Sequence, residues 1–289
     1  MAETVVVTGA SGFIGGALTA HLARAGYRVR ALSRASAGPS SAGVMHLRYA
    51  LDEPLGDALA GARAVVHAAF TDRAPTDAPD PNLVGVRILL DAARASGAKP
   101  IFLSSFSAHD DAISSYGRSK LALERRFDQP GDVVLKLGLV VGDGGVFARM
   151  RTAAAGRALL PVPGAGKPLQ VVAVEDVCRA VEHAIADDLG GTFWLATPDP
   201  VPMRDLYRVL ADPGTRLVPL PLAPLHLAAR VARRLGIALP FTVDNVAGLM
   251  RMRAHPTRSD LARLRIEPCT FAQVVAAGQR READVHERC

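Results

Sequence analysis

Tyr116 and Lys120 stand four residues apart in SYGRSKLALE, so on a helix a phenol and an ammonium share one face. A phenol with a pKa near about 10 is a poor base at neutral pH, but a neighbouring ammonium favours its phenolate, and the pair then suits proton transfer. Ser105 precedes Tyr116 by eleven residues and closes an apolar run, Pro100 to Ser104, that reads as a buried strand ending in SSFS. A hydroxyl at the carboxyl end of a parallel strand lies on the ligand side of such sheets. Ser105, Tyr116 and Lys120 are therefore candidates to meet near one ligand-facing edge.

A second constellation lies at the start of the chain. In TVVVTGASGFIGG the apolar run Thr4 to Val7 breaks into a turn with Gly9, Gly12 and Gly15, followed by Ile14, Leu18 and Leu22 at helical spacing and by Gly26 where a helix would stop. A strand, a glycine turn and a helix N-terminus together form a dinucleotide site. Gly9 permits the turn, Gly12 admits a pyrophosphate to the backbone amides, and Gly15 lets the helix close on the strand.

The elements between these motifs alternate strand and helix. Tyr27 to Leu32 reads as a second strand running into Ser33 and Arg34, where an NAD site would carry an Asp or Glu for the ribose hydroxyls. A hydroxyl and a cation there suit a 2′-phosphate, so NADP(H) is favoured, with NAD(H) left open. Val44 to Leu51 reads as a third strand followed by a short helix at Leu55 to Leu59, and Ala64 to Ala69 as a fourth strand whose small Ala68 and Ala69 leave room beside the backbone. His67 reads as a packed strand residue. A loop from Thr71 to Pro81 precedes a helix from Asn82 to Gly97. After the Tyr116 helix, Val133 to Val141 reads as a strand, Glu175 to Ala186 as a helix and Thr192 to Ala196 as another strand. Trp194 is expected in the core.

The chain has 289 residues, 49% of them hydrophobic and 21% charged, which suits a globular protein able to bury a full core. No apolar run approaches the roughly 20 residues of a membrane span. Residues 1 to 15 show no basic start or cleavage site, so no secretory leader is expected and a cytoplasmic location is. Cys178, Cys269 and Cys289 lack metal-ligand spacing, and no metal is expected. The net charge of +6 comes from dispersed arginines. In its densest stretch, Leu222 to Gly236, Leu225, Ala228, Val231 and Leu235 fall on one helical face, the pattern of an ordinary surface helix. Neither a nucleic acid nor a membrane is expected as partner; a small-molecule substrate is, and a homodimer is left open.

Taken together, TGASGFIG at Thr8 to Gly15 and Tyr116-Gly-Arg-Ser-Lys120 resemble the short-chain dehydrogenases/reductases, and within them the extended or atypical branch called the NAD-dependent epimerase/dehydratase family. Ser105 sits where that family has its catalytic serine or threonine. NLVGVRILLDAAR from Asn82, the strand running into GDGG, and VVAVEDVCRAV are similar to its later landmarks. The resemblance implies an α/β, Rossmann-like doubly wound parallel sheet with a smaller, mostly helical C-terminal substrate lobe. It implies a dinucleotide-binding core at 1–142, completed near 168–197, and a cap at 143–167 and 198–289. It implies that Ser105 holds a substrate oxygen, that Tyr116 gives or takes its proton as hydride moves, and that Lys120 also binds the cofactor ribose. The cofactor would lie along Gly9, Ser11, Gly12, Phe13, Ile14 and Gly15, then Ser33, Arg34 and Leu51, then Ala68, Ala69 and Phe70, and finally Tyr116, Lys120, Leu139 and Val140.

Two departures bear on the substrate. Leu169 aligns where sugar-nucleotide members commonly have a diphosphate-binding arginine, and Phe106 and Ser107 follow Ser105 where dehydratases carry acidic residues. In the second lobe a helix is expected near Phe147 to Ala158, a Pro-Gly turn at PVPGAGKP, a helix at Met203 to Leu210 and a proline-punctuated connection at Leu217 to Pro224. Further helices are expected near Leu225 to Leu235, Val243 to Met252 and Phe271 to Arg280, with Phe147, Met150, Phe241, Met250 and Met252 as candidate lining residues. The leading expectation is an NADP(H)-dependent oxidoreductase interconverting a ketone and a secondary alcohol on a small organic or natural-product intermediate. The alternatives are a redox-neutral epimerase, isomerase or cyclase using the same three residues, and a non-catalytic cofactor-binding sensor or assembly subunit.

Overall fold

The structure, a computed structural model, describes residues 2–34, 42–72, 79–237 and 241–277. Strand β1 (Thr4–Thr8) is buried along its whole length, as an all-valine centre requires, and leads through the glycine turn into α1 (Phe13–Arg24). Then follow β2 (Arg28–Ser33), β3 (Val44–Arg48), a short 3-10 helix at Gly56–Leu59 where a short helix is expected, and β4 (Ala62–His67). Helix α2 (Pro81–Ser96) is capped by the Asp80 side chain and stops at Gly97, whose φ of 73° is left-handed. Next come β5 (Lys99–Ser105), α3 (Ser115–Glu124) and β6 (Val133–Leu137). These pack into a seven-stranded sheet, ordered β11-β6-β5-β4-β1-β2-β3, once β11 (Gly191–Leu195) joins at the far edge. Every pairing in it is parallel. Its two faces hold separate apolar clusters, one with α1 and α5 (Val174–Ala186), the other with α2 and α3. This is the doubly wound, Rossmann-like sheet.

The expected single strand from Val133 to Val141 is broken. Gly138 separates β6 from β7 (Leu139–Val141), and β7 leaves the large sheet to pair with β10 (Val171–Ala173). A Cβ at Gly138 would lie 2.5 Å from the Gln170 carbonyl oxygen, so the chain crosses there on glycine alone. Helix α4 (Gly145–Ala154) ends four residues before its expected limit, because Leu159–Pro163 forms β8 instead. That strand pairs in parallel with β13 (Arg216–Leu220), in the stretch expected to be a mere connection. Prolines 161, 163 and 219 sit within this two-stranded ribbon, which has two open edges where a missing N–H costs nothing. Strands β9 (Pro168–Leu169) and β12 (Val201–Pro202) form a further antiparallel pair. Around them lie α6 (Met203–Leu210), α7 (Leu222–Arg234), α8 (Val243–Met250) and a short unanticipated α9 (Arg258–Arg263). Residues 271–277 are helical, and the rest of that expected helix, like Cys289, most of the small-residue loop at Ala35 to Gly43 and the centre of the Thr71 to Pro81 loop, lies outside the described residues. A third apolar cluster, with Phe147, Val162 and Leu206 fully buried, centres on this part of the chain.

Candidate active site

The carboxyl ends of β1, β2, β4 and β5 are neighbours in the sheet, so the residues that follow them converge along one edge. Gly9 follows β1 with φ 69°, and a Cβ there would stand 2.7 Å from the Ala69 amide nitrogen. The turn can therefore lie against Ala68 and Ala69 only as glycine. Thr8 reinforces this closeness: its hydroxyl meets His67 Nδ1 at 2.9 Å and accepts from the Ala69 amide at 3.4 Å. Gly15 faces the same turn, and a Cβ on it would collide with the Gly9 carbonyl oxygen.

Helix α1 begins at N-cap Gly12 with no side-chain cap. Gly12 itself donates back to the Gly9 carbonyl at 2.9 Å, and Ser11 and Gly12 are exposed. Uncapped amides at a helix N-terminus favour an anion. Phe13 has a packing role beside its position at this end, since Gly142 and Gly144 lie so close to its ring that a Cβ on either would fall within 2.7 Å of it. Ser33 ends β2 half-buried, next to the turn, because Ala10 donates to Leu32 at 3.1 Å. Arg34 is exposed, and its guanidinium has no ion-pair partner among the described residues. Leu51, Ala68, Ala69, Phe70, Leu139 and Val140 are all half-buried. These residues fit a dinucleotide: an uncapped helix end, glycines that cannot carry a Cβ, and a free cation at the second strand.

Tyr116 and Lys120 lie on one face of α3. Tyr116 is half-buried, and its phenol approaches the Ser105 side chain. Burial raises the Tyr116 pKa above its usual value, the Ser105 side chain opposes that rise, and Asp72 adds to it. Lys120 is 5% exposed and donates to the Leu103 carbonyl at 2.9 Å, so it is held against the end of β5. Burial pulls its pKa down to about 8, against the opposing carboxylates of Glu124 and Asp72. The Phe70 ring fills the space between the two, edge-on to Tyr116 at 5.3 Å and 4.6 Å from the Lys120 ammonium. Asn82 fixes the loop that carries Phe70, accepting from the Thr71 amide and donating to its carbonyl, each at 2.9 Å.

Behind this group lies a network that spacing alone does not reveal. Glu124 accepts from the Ser104 hydroxyl and from Lys136 Nζ at 2.6 Å, and Lys136 also donates to the Ala108 carbonyl at 2.6 Å. Glu124 does follow Lys120 by one helical turn, which is the only local trace of it. The Lys136 ammonium sits 4.7 Å from the centre of the Trp194 ring, and Trp194 stacks on His255 at 3.7 Å, with Phe106 edge-on to both. Trp194 is thus half-buried at the sheet edge rather than in the core. His67 is fully buried, and burial lowers its pKa to about 3. Of the residues expected to line a cleft, Phe147 is fully buried in the third cluster, where the turn of α4 points it inward. Met150, Phe241, Met250 and Met252 are half-buried.

A parallel Rossmann-like sheet with this turn and this Tyr-Lys helix defines an NAD(P)-dependent enzyme of the short-chain dehydrogenase/reductase type. The model of the NAD dependent epimerase/dehydratase family matches residues 5–194, and the chain belongs to that family. A curated relative, a 3-diazoavenalumate denitrifying reductase of a Streptomyces species, is 29% identical over 299 aligned positions, covering 89% of this chain and 98% of the relative. A ceramide reductase of Caulobacter vibrioides is 32% identical over 187 positions, 60% of this chain and 57% of that one. Among solved structures, MoeE5 in complex with UDP-glucuronic acid and NAD superposes with a TM-score of 0.72 at 20% identity, covering 97% of this chain and 100% of that one. A general oxidoreductase, epimerase or dehydratase role follows from the family, and among the described residues no helix is long and apolar enough to cross a membrane.

Proposed function

We propose that the protein is an NADP(H)-dependent reductase that interconverts a ketone and a secondary alcohol on a small organic or natural-product substrate. The observation that carries this reading is the approach of the Tyr116 phenol to the Ser105 side chain, with the Lys120 ammonium one turn along the same helix face. When bound, the nicotinamide supplies or accepts the hydride. Ser105 holds the substrate oxygen, and Tyr116 donates its proton to that oxygen in reduction and removes it in oxidation. The high pKa that burial gives Tyr116 keeps it protonated and ready to act as the acid. Lys120 favours the phenolate left behind and binds the ribose. Ser33 and Arg34 take the 2′-phosphate, the α1 N-terminus takes the pyrophosphate, and Leu51, Ala68, Ala69, Leu139 and Val140 line the cofactor.

We read 1–142 with 168–197 as the cofactor core, and 143–167 with 198–289 as the lobe that selects the substrate. Leu169, 3% exposed in the apolar cluster that residues 168–197 share with that lobe, supports a substrate without a sugar-nucleotide diphosphate, since it fills the position where an arginine would be wanted. The two reductase-named relatives favour net redox chemistry in the same direction.

Titration with NADPH, NADP+, NADH and NAD+, together with mass identification of any cofactor that copurifies, tests the reading. Preferential, exchangeable NADP(H) binding that Arg34→Ala weakens is the expected result, with ketone reduction lost in Tyr116→Phe while cofactor binding persists. A tightly retained NAD+ that is not consumed in turnover would overturn it in favour of redox-neutral epimerisation or isomerisation. Unchanged activity in Tyr116→Phe would favour a binding role.

A further inference from the structure

Helix α7 turns the wrong face outward for an ordinary surface helix. Its inward face is Ala229 and Ala232, 3% and 8% exposed, packed on α8, with Leu222 and Leu225 half-buried beside them. Outward point Leu227, Val231 and Leu235, at 62%, 48% and 68% exposure, followed by Ile237 at 55%. The three spaced residues recur at every fourth position, so they form one stripe along the helix. Arg230 and Arg234 lie on the same outward face, and Arg233 flanks it. All three arginines are exposed, and none has an ion-pair partner among the described residues. From Pro213 to Val243 the chain holds four arginines and no acidic residue.

We propose that this face of α7 seats the protein on an anionic lipid bilayer. The charge selects an anionic partner, and the interleaving selects its kind. Leucine and valine side chains between arginines suit an interface where apolar groups enter the acyl boundary while guanidinium groups rise along it to lipid phosphates. A nucleic-acid backbone would leave the apolar stripe unused. A second copy of the chain, related by a two-fold axis, would set the α7 arginine rows against each other, and α7 carries no carboxylate to separate them. The contact is interfacial and is independent of the reaction proposed above.

Vesicle flotation of the full-length protein at low salt tests the proposal, using phosphatidylcholine vesicles with and without phosphatidylglycerol. The protein is expected to float with the anionic vesicles, to stay behind with the neutral ones, and to be released by salt. Arg230→Gln/Arg233→Gln/Arg234→Gln should lower partitioning about hundredfold, from roughly fivefold per basic residue at the surface. Leu227→Asn/Val231→Asn/Leu235→Asn should also abolish flotation while leaving circular dichroism and dinucleotide binding unchanged in both variants. Failure of the native protein to float with anionic vesicles would overturn the proposal. So would undiminished flotation of the leucine variant, which would make the attraction charge alone. Concentration-dependent dimerisation that the leucine variant removes would overturn it too, assigning the face to self-association; saturable capture by an acidic protein without vesicle binding would do the same in favour of that partner.

Discussion

Lys120 is buried with a pKa near 8, below the 10.5 of a free lysine, so the fold bears the cost of holding its charge. The sign is fixed by proton counting. Between about pH 8 and 10.5 the folded state holds fewer protons than the unfolded one, so this group's contribution to stability rises with pH across that window; below 8 the full penalty applies. A shift of this size corresponds to about 3 kcal/mol, of which the lost bond to the Leu103 carbonyl would return about 1. Lys120→Met is therefore expected to be about 2 kcal/mol more stable than the native protein at pH 7, with the difference vanishing near pH 10, in denaturant titrations at the two values. Its turnover should be lost. In the ketone reduction proposed above, kcat/KM should fall above about pH 8, as the Lys120 ammonium beside Tyr116 deprotonates. Glu124 and Lys136 behave differently, because each buried charge answers the other. Glu124→Ala strands the Lys136 ammonium and should cost about 3–5 kcal/mol, measured by thermal unfolding, whereas Glu124→Gln keeps an acceptor for Ser104 and should cost less.

At the scale of elements, the strand, turn and helix at the start of the chain are held by contacts that glycine alone permits, and neighbouring glycines differ sharply in this. A Cβ at Gly15 would run into the Gly9 carbonyl, a backbone atom that cannot move without opening the turn. At Gly16, one position on, the nearest atom is the Ala10 carbonyl oxygen at an ordinary 3.4 Å. Gly15→Ala should therefore destabilise by more than about 2 kcal/mol and abolish dinucleotide binding. Gly16→Ala should be neutral or stabilise by up to about 1 kcal/mol, the usual gain of alanine within a helix. Melting curves and cofactor titrations on the pair decide it; equal effects would show that the turn tolerates side chains. This part of the fold was legible because its signals are local: valine run, glycine turn, helical repeat, and a Tyr-Lys pair one turn apart. The ribbon of β8 and β13 was not. Its strands are 57 positions apart in register, Leu159 with Arg216, and their prolines read as punctuation because nothing local shows that both strands lie at open edges. The Gly138 break between β6 and β7 was hidden for a similar reason, since both halves are equally apolar.

Across the whole molecule, residues 242–266 are tied back to the preceding chain by side-chain bonds to partners far away in sequence. Gln170 donates to the His255 carbonyl at 2.9 Å and accepts from its amide at 2.8 Å. Asp260 accepts from the Trp194 amide at 2.8 Å, satisfying an otherwise open N–H on edge strand β11. Lys167 donates to the Met250 carbonyl at the end of α8, where a cation suits the helix dipole. The link that bears on chemistry is Asp244, on the first turn of α8. Its carboxylate accepts from the amides of Ser115 and Tyr116, at 2.5 and 3.3 Å, while Ser114 accepts from Gly117 at 3.1 Å. Between them these two side chains cap the N-terminus of the helix that carries Tyr116. No sequence pattern announces a partner 128 residues away. Asp244→Ala should fray that turn, raising amide exchange at Ser115 and Tyr116, costing about 1–2 kcal/mol of stability and lowering kcat/KM about tenfold, or roughly 1.4 kcal/mol of transition-state stabilisation. Dinucleotide affinity should hold, because the glycine turn and Ser33 lie on other elements and Lys120, a turn beyond the cap, stays bonded to the Leu103 carbonyl. Asp244→Asn retains one acceptor oxygen and should recover most of the loss, which separates positioning of the phenol from general destabilisation of the lobe. If amide exchange and turnover of Asp244→Ala both match the native protein, α8 touches the Tyr116 helix without holding it in place.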